Sequence, residues 1–176
     1  MWLKLTYDCF YFAYGSNMNP DRLALRMEEA PEPPHILAIG KLINYKPRFS
    51  HYSKKNKGGV LDIVKKENSC VYGIIYGIKI KYLPLIDDVE GVPYTYRQIV
   101  VNVQIDRLLD DDFHKLKFSD EEYLECYCYE VKNKSTEEIP PSRAYYDHVK
   151  IGHDKFGVNI KLIDKIISKI GFYEDI

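Results

Sequence analysis

Residues 11–18 of the chain read YFAYGSNM, an aromatic and apolar run that ends in a Gly-Ser-Asn turn. Its composition predicts a short strand over residues 9–14. Asn19 and Pro20 follow the turn and supply an N-cap and a proline at the first helical position, which predicts a helix from Pro20 to about residue 29. A strand that turns into a capped helix can aim backbone N–H groups at an anion. Many such joints use glycine only to turn, so both interpretations stay open here.

A second segment that could carry chemistry reads IDDVEGVPYTYR over residues 86–97. Glu90 stands where a helix predicted over residues 82–89 breaks at Gly91, ahead of a strand. Neighbouring like charges from Asp87 and Asp88, or burial, could raise the pKa of Glu90 towards neutrality. A carboxylate tuned in this way can serve as a general base. The other interpretation is a solvated acidic helix end.

The rest of the pattern is rich in strands and predicts the fold class. Strands are predicted over residues 37–45, 59–64, 71–78, 96–105 and 123–131, and helices from Ser142 to about residue 149 and over residues 159–170. The glycines within residues 71–78 indicate a bulge, a bend or the close approach of another group. This order predicts an α+β fold with a mixed, mostly antiparallel, barrel-like sheet flanked by helices.

Length and charge limit the organisation and the partners. The 176 residues suggest a single domain over residues 1–176, given about 150 residues per domain. With 25 Lys+Arg against 26 Asp+Glu, the net charge is −1, which argues against nucleic acid or an anionic membrane as a partner. A local basic patch at Lys54, Lys55 and Lys57 is possible, although a solvated loop is the simpler interpretation.

Cysteine usage and hydropathy favour a cytoplasmic location. No apolar stretch approaches the ~20 residues that span a bilayer, and the N-terminal run is interpreted as a strand rather than a signal. The four cysteines contain no CxxC pair and no histidine partners at metal-ligand spacing, so no metal site is predicted. Cys126 and Cys128 alternate within a predicted strand and are expected to be small core residues.

Several of these segments, taken in order, resemble the γ-glutamylcyclotransferase-like superfamily. Residues 12–18 (FAYGSNM) resemble its opening strand-Tyr-Gly-Ser-Asn signature, and Gly58-Gly59 precede a strand as they do in that family. Residues 71–76 (VYGIIY) resemble its Val-aromatic-Gly-Val-Val-Tyr strand. Residues 85–91 (LIDDVEG) and 140–145 (PPSRAY) resemble its Leu-Asp-x-x-Glu-Gly and Pro-Pro-Ser-x-x-Tyr segments. The resemblance covers nearly the whole chain and implies the γ-glutamylcyclotransferase-like fold.

The resemblance also implies an activity and a set of site residues. The family cyclises a γ-glutamyl amino acid or amide to 5-oxoproline and releases the amino acid or amine, without a cofactor. It implies Glu90 as the general acid/base, and a substrate contacted by Tyr14, Gly15, Ser16, Asn17, Gly59, Tyr96 and Tyr145. The partner is then a small γ-glutamyl molecule, and a homodimer is possible. The alternatives are a cyclotransferase for γ-glutamylamines or other γ-glutamyl metabolites, and a non-catalytic small-molecule-binding domain of the same fold.

Three departures from the family pattern bear on the pocket. Residues 152–153 read Gly-His where Gly-Ala is frequent, and residues 157–159 read Gly-Val-Asn where Gly-Leu-Pro is common. The strand after Gly59 carries Asp62, where smaller or neutral polar residues are usual. Asp62 and His153 could therefore reshape the pocket, although a capped or surface histidine is the simpler interpretation of His153. Tyr129 is a weaker candidate for the pocket because a core position suits it equally well.

Overall fold

A barrel of strands forms the centre of the molecule, which a computed structural model describes over residues 6–114 and 122–176. The strands in this part of the chain are β1 (Cys9–Ala13), β2 (His35–Ser53), β3 (Gly58–Ile78), β4 (Tyr96–Leu108) and β5 (Tyr123–Val131). They close in the order β1-β3-β2-β4-β5. Neighbouring strands are antiparallel except β1 and β5, which run parallel where Tyr11 pairs with Tyr127. The predicted α+β fold with a mixed, mostly antiparallel barrel is confirmed.

Helices flank the barrel, and two of them begin at the predicted caps. They are α1 (Pro20–Arg26), α2 (Leu83–Glu90), α3 (Asp111–His114), α4 (Arg143–Phe156) and α5 (Lys161–Ile170). The Asn19 side chain accepts a hydrogen bond from the N–H of Asp21 at the start of α1, and Ser142 accepts one from the N–H of Tyr145 at the start of α4. Within the described residues, no helix has the length and apolar character needed to cross a membrane.

The strands predicted over residues 59–64 and 71–78 are two parts of β3. The intervening polar residues 65–68 are exposed and broke the hydrophobic pattern. Register with β2 shifts there, from Ile43 opposite Cys70 to Tyr45 opposite Lys65, and Asn68 has a φ of 59°. Backbone pairing with β2 continues on both sides of this irregularity. The polarity pattern of the side chains does not reveal that the two segments belong to one strand.

Two helix ends also differ from the prediction. Helix α1 stops at Arg26, three residues before the predicted end. Helix α4 continues to Phe156, seven residues beyond residue 149, and ends where Gly157 adopts a left-handed conformation with a φ of 64°. Glycine is favoured there because it has no Cβ to oppose a positive φ.

The barrel interior holds large apolar side chains and small sulfur-containing ones. Phe12, Phe49 and Tyr76 are fully buried, and Cys126 and Cys128 are buried as predicted. A Cβ on Gly73 would lie 2.4 Å from the carbonyl oxygen of Ala13, so β1 and β3 approach too closely there for any larger residue. This is the close approach that the strand glycines indicated.

Candidate active site

A cavity of about 410 Å³ lies where the turn after β1 meets the end of α2 and the β2–β3 hairpin. Its wall contains seven of the predicted site residues, namely Tyr14, Gly15, Ser16, Asn17, Glu90, Tyr96 and Tyr145. The strand-to-helix turn and the helix-to-strand break, far apart in the sequence, thus border one space.

Glu90 is the last residue of α2, and the helix ends there because Gly91 takes a left-handed conformation with a φ of 67°. Its Oε1 accepts hydrogen bonds from Asn17 Nδ2 at 3.3 Å and from Arg26 Nη1 at 3.5 Å. Its Oε2 has no hydrogen-bond partner among the described residues, and 15% of the side chain is exposed. One carboxylate oxygen is therefore held in place while the other is unoccupied by protein groups.

Burial raises the pKa of Glu90, whereas the guanidinium groups of Arg26 and Arg22 and the hydrogen bond from Asn17 act in the opposite direction. Of the two causes considered from the sequence, burial is the one that operates. Asp87 binds elsewhere, since it accepts the Tyr129 hydroxyl at 2.5 Å. A carboxyl with a raised pKa in a cavity wall has the properties of a general acid/base.

Asn17 is fixed from several sides. Its Oδ1 accepts from Arg26 Nη1 at 2.8 Å, and its Nδ2 donates to the Tyr11 hydroxyl at 2.9 Å as well as to Glu90. The Tyr76 hydroxyl donates to its backbone carbonyl at 2.9 Å. These bonds hold the turn rigidly against Glu90.

The backbone of this turn presents donors to the cavity. The turn is a short 3₁₀ helix over Ser16–Met18, in which the N–H of Met18 donates to the carbonyl of Gly15. Among the described residues, the N–H groups of Gly15, Ser16 and Asn17 have no protein acceptor. All three residues line the cavity, so their N–H groups are candidate donors to a carboxylate or a developing oxyanion.

The hydroxyl groups of Tyr96 and Tyr145 bind the carbonyl and the N–H of the same residue on β3, Leu61. The Tyr96 hydroxyl donates to the carbonyl of Leu61 at 2.8 Å, and the Tyr145 hydroxyl accepts from the N–H of Leu61 at 3.0 Å. Burial raises the pKa of both, to about 12 for Tyr145, so both stay protonated near neutral pH. The Tyr145 hydroxyl proton has no acceptor within the described residues and is free for a ligand. A Cβ on Gly15 would lie 3.3 Å from this hydroxyl, a tight contact that requires a shift of a few tenths of an ångström.

Gly59, which the resemblance placed at the substrate, does not line the cavity. Its N–H donates to the carbonyl of Pro140 at 2.7 Å, and a Cβ would lie 1.9 Å from the carbonyl oxygen of Ile139. The glycine therefore allows the segment before α4 to pack directly on β3, and this packing orients the helix that carries Tyr145.

Asp62 and His153 also lie outside the cavity wall, so neither reshapes it by direct contact. Asp62 is fully buried, where it accepts from the N–H of Val131 and from Lys134. His153 is 2% exposed, and its Nδ1 is bonded to the carbonyl of Val149 one turn earlier in α4. Both are satisfied structural residues.

The cavity wall also contains residues that sequence reasoning did not assign to the site. Arg26 was not predicted to belong to the site. The sequence gives one hint, since Arg26 lies four residues after Arg22 on a capped helix and the two arginines therefore share a helix face. Tyr129, the weaker candidate, lines the wall. Lys54 and Lys55, interpreted as a solvated loop, are exposed and line the cavity as well.

Comparisons with known proteins concern the family and the fold. A family model described as the AIG2-like family matches residues 70–165, more than half of the chain. The curated γ-glutamylcyclotransferase of Homo sapiens is 24% identical over 160 residues, which cover 89% of this chain and 76% of the relative. The protein of the same name from Bos taurus is 24% identical over 165 residues, covering 90% and 77%. A solved structure of a γ-glutamyl cyclotransferase has a TM-score of 0.72 at 24% identity, covers 89% of this chain and 85% of its own, and shows the same fold.

Proposed function

The chain belongs to the AIG2-like family and has the γ-glutamylcyclotransferase-like fold, and from this premise we propose that it converts a γ-glutamyl amino acid or amide to 5-oxoproline and a free amino acid or amine. The observation that carries the proposal is Glu90. This carboxyl has a pKa raised by burial, one oxygen held by Asn17 and Arg26, and the other without a partner in the described part of the chain. Curated relatives named γ-glutamylcyclotransferase support the reaction class.

The proposed reaction is an intramolecular acyl transfer. The α-amine of the γ-glutamyl group attacks its own γ-carbonyl carbon, the new C–N bond closes a five-membered ring, and the bond to the leaving nitrogen breaks. The α-ammonium first loses one proton to solvent to give the attacking amine. This amine loses one further proton as the ring closes, and the leaving nitrogen gains one. Glu90 accepts this further proton at its unoccupied oxygen and then donates it to the leaving nitrogen, so the carboxylate is regenerated. Because both reacting groups belong to one molecule, the enzyme mainly selects the folded conformer.

The surrounding groups have supporting roles in this proposal. The N–H groups of Gly15, Ser16 and Asn17 bind the oxygens of the substrate and stabilise the oxyanion that forms on the γ-carbonyl. The free hydroxyl proton of Tyr145 donates to a further substrate oxygen, and Tyr96 packs beside it. Arg26 keeps Oε1 of Glu90 oriented, which leaves Oε2 for proton transfer.

Release of 5-oxoproline from γ-Glu-Ala, γ-Glu-ε-Lys and glutathione tests the proposal with wild type, Glu90→Gln and Asp88→Asn. Glutamine keeps the size of the side chain and an oxygen for Asn17 and Arg26 but cannot move a proton, so we expect turnover to fall by about 10²–10⁴-fold. Asp88 is exposed on the same helix and does not line the cavity, so its variant should match the wild type.

The outcomes of this assay separate the alternatives. Wild-type turnover in folded Glu90→Gln would refute the role of Glu90. A folded wild type that releases no 5-oxoproline from any of the three would refute the reaction, and binding of 5-oxoproline without turnover would indicate a binding domain. Turnover of γ-Glu-ε-Lys alone would identify a γ-glutamylamine cyclotransferase.

A cytoplasmic location and a homodimer are proposed with the activity. All four cysteines are free, as expected for a protein of a reducing compartment. Cell fractionation tests the location, and light scattering of the purified chain tests the dimer, with a monomer mass of 20.7 kDa as the contrary result.

A further inference from the structure

The charges in the cavity wall are unbalanced. Arg26, Lys54 and Lys55 line it, whereas Glu90 is the one acidic residue in the wall among the residues described. Arg26 is engaged by Glu90 and Asn17. The ammonium groups of Lys54 and Lys55 have no acidic partner within residues 6–114 and 122–176, so two positive charges beside the cavity are uncompensated.

The loop that carries these lysines is anchored to the helices around the cavity. Lys54 and Lys55 lie in the turn between β2 and β3, next to Asn56. Asn56 accepts a hydrogen bond from Arg22 Nη2 at 3.0 Å through its side chain, and from Ser142 Oγ at 2.6 Å through its backbone carbonyl. The turn is thereby tied to α1 and to the start of α4, and the two lysines are kept at the cavity.

The charge of the substrate can be matched to these groups. If the proposed function holds, the γ-glutamyl part is served by the Gly15–Asn17 amides and Glu90, and the lysine turn in the same cavity wall is left for the leaving amino acid. A neutral leaving amino acid brings one carboxylate, whereas aspartate or glutamate brings two. We propose that Lys54 and Lys55 form a subsite that selects γ-glutamyl compounds whose leaving amino acid is acidic.

The test compares γ-Glu-Glu with γ-Glu-Gln, which have nearly the same shape and differ by one charge. We expect kcat/KM to favour γ-Glu-Glu by about fivefold, the size that two solvent-exposed ion pairs supply. In the double variant Lys54→Gln/Lys55→Gln the ratio should fall to about one. Lys57→Gln is the matched control: Lys57 is exposed in the same turn but does not line the cavity, so its variant should keep the wild-type ratio.

Ionic strength gives an independent readout. The preference of the wild type should shrink as sodium chloride is raised, because exposed charges are screened over about 3 Å at 1 M salt and about 30 Å at 0.01 M. The ratio for the double variant should not respond. A preference that is equal in wild type and double variant, or that is insensitive to salt, would overturn the subsite.

Binding to Glu90→Gln separates failure of the subsite from failure of the proposed function. Calorimetry should show tighter binding of γ-Glu-Glu than of γ-Glu-Gln even where the variant does not turn over. Equal affinity, or no binding of either compound, overturns the subsite while leaving the 5-oxoproline assay to decide the reaction. Selective binding without turnover by the wild type would support the subsite and refute the cyclotransferase.

Discussion

Replacement of Asp62 tests whether this residue supports the barrel rather than the chemistry. Asp62 is fully buried on β3. Its Oδ1 accepts from the N–H of Val131 on β5 at 2.9 Å, and its Oδ2 accepts from Lys134 Nζ at 2.7 Å. In the barrel order β1 lies between β3 and β5, and β1 ends at Ala13. The carboxylate therefore joins two strands that do not pair with each other directly.

The geometry predicts a different loss of stability for each of two substitutions at Asp62. Asp62→Asn keeps an acceptor for the N–H of Val131 and loses the charge opposite Lys134, which is 26% exposed and also contacts the carbonyl of Ile63 at 3.2 Å. We expect a loss of about 1–2 kcal/mol in the free energy of unfolding, near the value of one charged hydrogen bond. Asp62→Ala leaves the N–H of Val131 without an acceptor, whereas Lys134 keeps the carbonyl of Ile63 and lies 3.7 Å from Glu130 Oε2. We therefore expect the unpaired N–H to cost about 1–3 kcal/mol in addition to the lost charged hydrogen bond.

Urea unfolding, analysed with the same denaturant dependence (m value) for each variant, measures the loss of stability. The value of kcat/KM on the same samples measures any effect on activity. For a chain of this length each kcal/mol corresponds to about 2–4 °C in melting temperature. The control is Asp106→Asn, since Asp106 forms a 3.0 Å ion pair with Lys41 in which both side chains are partly exposed, and its loss should cost at most ~1 kcal/mol. Equal destabilisation by the two Asp62 variants would refute the reasoning. Loss of activity at unchanged stability would show instead that Asp62 acts at the site.

Three further predictions concern the cavity and its support. Burial raises the pKa of Glu90 in the folded chain, so ionisation of Glu90 opposes folding. The contribution of Glu90 to the free energy of unfolding therefore falls as the pH rises from the ordinary glutamate range through the raised pKa. Glu90→Gln should therefore melt at or above the wild-type temperature at pH 8 and converge with it at about pH 4 in scanning calorimetry; a lower melting temperature at pH 8 would contradict this. Gly59→Ala places a Cβ 1.9 Å from the Ile139 carbonyl oxygen, so we expect a loss of at least ~1–3 kcal/mol in urea unfolding, and wild-type stability would disprove this close packing. Tyr145→Phe removes the acceptor of the buried Leu61 N–H and should cost about 1–3 kcal/mol and lower kcat/KM, whereas an unchanged kcat/KM would remove the Tyr145 hydroxyl from the site.

Local signals in the sequence were sufficient for the elements that position the site. Asn19 and Ser142 are N-caps whose side chains bind the first turn, and such caps are recognisable from residue type and spacing alone. Gly91 ends α2 directly after Glu90, as the break before the next strand predicted. These features depend on neighbours within four residues, which is the range over which sequence patterns report structure.

Long-range contacts could not be predicted in this way. The register shift inside β3 depends on pairing with β2, so exposed polar residues there looked like a loop between two strands. Gly59 occurs in a family-like motif, yet its reason for being glycine is the carbonyl oxygen of Ile139, 80 residues away in the chain. A motif marks a position as constrained without saying whether a substrate or the backbone imposes the constraint.

The electrostatic surroundings of Glu90 show the same difference between neighbours in the sequence and neighbours in the folded chain. The sequence places Asp87 and Asp88 beside it and suggests that repulsion raises its pKa. In the folded chain Asp87 is bound to Tyr129, and the groups that act on Glu90 come from Asn17 and Arg26, 73 and 64 residues away. Burial raises the pKa while Arg26 opposes the rise. A carboxyl whose pKa is raised by burial, while Arg26 limits the rise, can both accept and release a proton, and residues far from Glu90 in the sequence set this balance.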